Sequence, residues 1–103
     1  MANKYLIQVD DNYHYGNEDE RYTAGSFNTL EEALKKCQEI TLSSLKEFYQ
    51  EGISADELKA QWSMFGEDPF IVGPVEGVPF SAREFITPEL CEKIIEECQR
   101  KNL

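Results

Sequence analysis

The chain opens on alternation. Between Lys4 and Asp10, Tyr5, Ile7 and Val9 fall on one side while Leu6, Gln8 and Asp10 fall on the other, the period of a half-buried strand. The odd-numbered series continues through Tyr13 and Tyr15, which extends the predicted strand to the end of "NYHY". After the turn-forming cluster "GNED", the run "RYTAGSF" supplies a second strand, so the two are predicted to form an antiparallel hairpin. A four-residue loop sets Tyr15 opposite Glu20 and Tyr13 opposite Tyr22, an aromatic cross-strand pair on the core side. A two-residue turn at Gly16 and Asn17 is the competing register, and it keeps the same faces.

The period then changes. Leu30, Ala33, Leu34, Cys37, Ile40, Thr41, Leu45, Phe48 and Tyr49 form one stripe at helical spacing. Thr29 with Glu32 makes a capping box at its start, and Glu31–Lys35 and Glu32–Lys36 are supporting pairs one turn apart. Gly52 is placed to end this helix in the left-handed conformation. Ser54 and Glu57 box a second helix, in which Leu58, Trp62 and Phe65 point inward and Gly66 closes the element. Pro69, Pro74 and Pro79 exclude a helix from the next stretch, where "PFIV" fits a short strand that starts with Pro69. Ser81 with Glu84, and Phe80 with Phe85, repeat the box and its hydrophobic staple. Thr87 caps a last helix that begins at Pro88 and buries Leu90, Cys91, Ile94, Ile95 and Cys98. The expectation is a single α+β domain over residues 1–103, in the order β-β-α-α-β-α, with helices packed on one face of a small, mainly antiparallel sheet.

Composition agrees with that size of unit. A chain of 103 residues buries about two-thirds of its unfolded surface, enough for one core without disulfides. No apolar run approaches the roughly 18 residues of a membrane span, and the N-terminal residues lack the apolar stretch of a signal peptide. Three cysteines, an odd number without metal-like spacing, predict a reducing cytoplasm. Cys91 and Cys98 stand two helical turns apart, roughly 10 Å, too far to bridge. All three fall on apolar stripes, as small core residues do.

Charge changes the picture more. The net charge is −10, from 20 acids and 10 bases. Asp10, Asp11, Glu18, Asp19 and Glu20 lie in a stretch without Lys or Arg, and Glu67, Asp68 and Glu76 sit in further predicted connectors. The rest of the chain is almost neutral. With no basic stripe to neutralise phosphates, nucleic-acid binding is excluded as an expectation, whereas localised negative charge suits a basic protein partner. Nothing in the sequence sets an oligomeric state.

The opening acidic stretch invites a metal, but the spacing refuses calcium. An EF-hand loop begun at Asp10 would need Gly at its sixth position and Glu at its twelfth, where Tyr15 and Arg21 stand. His14 is the sole histidine, so a two-histidine metal site within one chain is also excluded. No metal or cofactor is predicted. On the strand reading, Asp10, Asn12 and His14 share the solvent face, with Arg21 and Thr23 beside them. Such a row suits a small polar ligand or a peptide, and a lone histidine among carboxylates is a candidate general base. It also reads as a solvated face with an acidic loop tip at Glu18, Asp19 and Glu20. Glu67 and Asp68 are a second candidate, because Pro69 holds Asp68 extended and presents two carboxylates at a strand mouth. The same residues serve equally as a turn entry. The chain carries no nucleophile elbow and no glycine-rich phosphate loop, so an enzyme is not the first reading.

Taken together, "VDDNYHY", "DERY", "AGSF", "FGEDPFIV" and "FSAREF" resemble a group of short bacterial proteins, over most of the chain. That resemblance implies a bacterial cytosolic protein and brings no catalytic residue or cofactor with it. Residues 4–50, two strands followed by "TLEEAL", are similar to HicB-like antitoxins. The chain departs from them in lacking a third-strand motif ahead of the helix and a basic DNA-binding segment after it. Three functions follow as expectations. The first is an acidic interaction module for a protein partner, and an antitoxin- or immunity-like inhibitor of a basic toxin is its sharper form. The third is a small-ligand binder or enzyme built on Asp10, Asn12, His14 and Arg21.

Overall fold

A computed structural model describes residues 4–14, 21–74 and 77–101. Strand β1 (Tyr5–Asp11) runs into a 3₁₀ turn (Asn12–His14), and β2 (Tyr22–Phe27) follows. Helices α1 (Leu30–Glu47) and α2 (Ala55–Phe65) precede β3 (Glu67–Val72), the short α3 (Ala82–Phe85) and α4 (Pro88–Lys101). The three strands form one antiparallel sheet in the order β2-β1-β3. This is the α+β architecture, in the order β-β-α-α-β-α, with α3 as one extra turn of helix.

The sheet is built on the alternation of β1. Ile7 and Val9 are fully buried, and their β3 partners Ile71 and Pro69 share that face. Ile7, Val9 and Ile71 pack with Ala33, Cys37 and Leu45 of α1, Leu58 and Trp62 of α2, and Cys91 and Ile94 of α4 in one core. Leu6, Gln8 and Asp10 occupy the opposite face and stay half-buried. Pro69 is tolerated because β3 is an edge strand, where a missing N–H need not break a ladder on both sides.

Local signals hold where they are local. Thr29 and Ser81 accept from the backbone N–H three residues on, Ser54 and Glu57 form a full reciprocal box, and Thr87 Oγ1 accepts from Leu90 N. Phe80 and Phe85 meet with ring centroids 5.6 Å apart. Helix α1 ends earlier than its stripe suggests. Phe48 is its C-cap, with its N–H shared between the Leu45 and Lys46 carbonyls, so the last turn tightens before Tyr49. Gly52 does adopt a positive φ, +85°, but in the connector to α2 rather than at the helix end. Gly66 is required by contact. A Cβ there would lie 2.3 Å from the Trp62 ring.

The end of β1 departs from the expected alternation. Asp11 Oδ1 accepts from Tyr13 N at 3.0 Å, a side-chain-closed turn that stops the strand. Asn12 therefore turns inward and is buried, while Tyr13 turns out and is 65% exposed. The anticipated Tyr13–Tyr22 pair does not form. Tyr22 stands opposite Val9, and the register slips at a bulge between Ile7 and Gln8. Phe65, expected inside, is exposed because Gly66 folds back under Trp62 and takes the chain straight into β3. The anticipated hairpin tip, Glu18, Asp19 and Glu20, lies outside the described residues, as does Glu76.

Candidate functional site

The β1–β3 ladder brings the two acidic segments together. Asp10 stands opposite Asp68 and Asp11 opposite Glu67, so four carboxylates cross one end of the sheet in two adjacent rows. Alternation sends the rows to opposite faces. Asp10 and Asp68 share the open face; Asp11 and Glu67 share the face that carries the helices.

On the open face the charge is locally answered. The Arg21 guanidinium donates from Nε to Asp10 Oδ1 at 2.6 Å and from Nη2 to Oδ2 at 3.3 Å, and it lies 5.0 Å from the centroid of the Phe70 ring. Burial holds the Asp68 carboxyl above its ordinary range, Arg83 pulls it back, and Asp10 raises it further. A shallow cleft of about 330 Å³ lies here, lined by Asp10, Arg21 and Asp68 and floored by Phe70 and Phe80.

Across the sheet the second row opens on a cleft of about 290 Å³ between β1, β3 and the ends of α1 and α2. The carboxylates on this face are Asp11, Glu47 and Glu67, and the rings are Tyr22, Phe48 and Phe65; Asp10, whose carboxylate is held by Arg21 on the other face, borders the cleft at its edge. None of its described lining residues is basic. Ser44 on α1 accepts from Glu67 N at 3.0 Å, and Trp62 Nε1 donates to Glu67 O at 3.0 Å, so the backbone of Glu67 is held from both sides. The Tyr22 hydroxyl donates to Glu67 Oε2 at 3.0 Å. Burial, that hydrogen bond and the Glu67 and Glu47 charges push the phenol up to about 12, so the ring stays neutral at physiological pH. Tyr13 stacks on Phe65 with centroids 5.6 Å apart.

The anticipated polar row is thus divided. Asp10 and Arg21 meet on the open face. Asn12 leaves the row: its amide donates to the Trp62 carbonyl at 2.8 Å, and its own N–H donates to Gly66 O at 2.9 Å. His14 closes the 3₁₀ turn, and its side chain lies outside the described residues. Glu67 and Asp68 separate onto different faces. Sequence reasoning placed Tyr13, Tyr22 and Phe65 in the core and so missed the aromatic half of the cleft. The Asx-turn capacity of Asp11 was the signal that would have turned Tyr13 outward.

Among the described residues no group of three or more His, Cys, Asp or Glu side chains converges as a metal site, and no helix is long and apolar enough to cross a membrane. No family model, curated protein or solved structure matches the chain.

Proposed function

We propose that this protein is a non-enzymatic interaction module that receives a basic segment of a partner protein in the cleft between β1, β3 and α1. The observation that carries this reading is the lining of that cleft, three carboxylates and three aromatic rings with no base among the described residues. Carboxylates supply attraction and orientation, and exposed rings supply the apolar contact area that anchors an interface. The net charge of −10 adds long-range steering toward a cationic partner. Ser44 does not suggest hydrolytic chemistry, since it is 3% exposed and its oxygen is engaged by Glu67 N–H. An inhibitor of a basic toxin is a special case of the same reading.

The test is calorimetric titration with a short unstructured peptide containing arginine and lysine, at increasing salt, against the wild type and a Glu47→Gln/Glu67→Gln variant. The reading predicts salt-weakened binding and a loss of roughly tenfold in the variant. Affinity indifferent to both salt and variant would contradict it.

A further inference from the structure

Resting on that reading, we infer that the side chain taken by the cleft is an arginine, its guanidinium laid against the Phe65 and Tyr22 rings with its edge toward Glu67, Glu47 and Asp11.

The aromatic surface supports this independently of the acids. Among the described residues, the strongly exposed large hydrophobics are Tyr13, Tyr22, Met64, Phe65, Val72 and Val78. Every aromatic in that set gathers at this cleft, Tyr22 and Phe65 in its lining and Tyr13 stacked on Phe65. Carboxylates alone would satisfy an ammonium, which is compact and strongly hydrated. A guanidinium differs: it is planar and weakly hydrated, so one face can lie on a ring while its edge donates to oxygens. Rings left exposed beside carboxylates match the second cation and are superfluous for the first.

The chain treats its own arginines in this way. Arg21 is forked onto Asp10 and lies over Phe70, and Arg83 lies over the Trp62 ring with its guanidinium carbon 5.6 Å from the centroid while countering the Asp68 charge. At Arg21 a carboxylate and a ring hold one guanidinium between them, and at Arg83 a ring does so with the Ser63 hydroxyl as hydrogen-bond partner. The cleft on the other face repeats the carboxylate and the ring, and its described lining residues bring no guanidinium of their own. Glu67 is held by Ser44 and Trp62 at its backbone and by Tyr22 at its side chain, so this acceptor is positioned before a ligand arrives.

The experiment compares three short peptides identical except for a central arginine, lysine or citrulline, titrated into the full chain and read by chemical shifts and dissociation constants. Arginine is expected to bind roughly three- to tenfold more tightly than lysine, and citrulline to lose most of the affinity. Phe65→Ala, with Phe65→Leu as a bulk-preserving control on folding, should draw the arginine-to-lysine ratio toward one while leaving the salt dependence in place. Lysine binding as well as arginine would overturn the arginine inference and leave the basic-partner reading standing. An arginine preference that survives both Phe65 variants would overturn the stacking. Failure of both cationic peptides, or citrulline binding as tightly as arginine, would overturn the reading beneath it as well.

Discussion

The side-chain amide of Asn12 donates to the Trp62 carbonyl at 2.8 Å, and through it the end of β1 is fastened to the end of α2. That carbonyl lies at the C-terminal end of α2 and already accepts the helical bond from the capping Gly66 N. Asn12 adds a second donor to it from outside the helix. The consequence for the site is geometric. With Asn12 drawn in, Tyr13 is thrown out onto Phe65, and the acid pair Asp11–Glu67 acquires an aromatic rim.

Stability should follow that arrangement rather than strand alternation. Asn12→Ala removes a buried hydrogen bond, and the loss is tempered because Asn12 Oδ1 is itself without a partner. It should be destabilising by about 1–2 kcal/mol. Tyr13→Ala, at an exposed position, should fall within about 1 kcal/mol of wild type. Urea unfolding of the two variants is the measurement, and a Tyr13 variant weaker than the Asn12 variant would restore the alternating reading.

The thiols give a second expectation. Cys37 and Cys91 are fully buried, and burial raises both, Cys37 to about 12 with help from the Asp68 charge. Neither offers thiolate at neutral pH. Titration with a thiol reagent should therefore be slow in the folded protein, with half-buried Cys98 reacting first, and should reach three equivalents in guanidinium. Fast modification of Cys37 without unfolding would contradict the packing.

Asp68 sets a pH dependence. Its carboxyl is raised in the folded protein, chiefly by burial, so the native state holds that proton more tightly than the unfolded chain does. Its contribution to stability is largest in acid and falls as pH climbs from the unfolded carboxylate value, about 4, through the raised folded value. Above that it is constant. Asp68→Asn should flatten this part of the stability–pH curve and raise stability at neutral pH by less than about 1 kcal/mol, water screening what the strand leaves exposed. Thermal midpoints of both proteins across pH 3 to 8 decide it, and an unchanged slope would show that Asp68 is not the group responsible.

Calcium should do nothing. Adjacent acids alternate between two faces of the sheet, and among the described residues no three of them are placed to hold one metal ion. Millimolar calcium and EDTA should give the same thermal midpoint, because a ion bound only by the native state would have to raise it.

The helices were legible because their signals are short-range: Thr29, Ser54, Ser81 and Thr87 each close a hydrogen bond three residues away. The core face of β1 was legible from Ile7 and Val9 for the same reason, since alternation is a local property. The site was visible only in parts. Asp10, Asp11, Glu67 and Asp68 stood out as clustered charge, but their meeting depends on β1 pairing with β3 across two intervening helices, which no local pattern encodes. Tyr13 and Phe65 were misplaced by the same habit, extending a period past the residue that ends it. Asp11 stops the strand, and Gly66 stops the helix.

The central claim is that the acid–aromatic cleft is where a partner's basic segment binds. A two-dimensional heteronuclear spectrum of the labelled chain, recorded while a short arginine-containing peptide is added, tests it most directly. The account predicts shifts confined to Asp11, Tyr13, Tyr22, Glu47, Phe65 and Glu67 and their neighbours, diminishing as salt is raised. Shifts spread over the acidic positions of α1 and α4, or centred on Asp68 and Phe70 across the sheet, would contradict it.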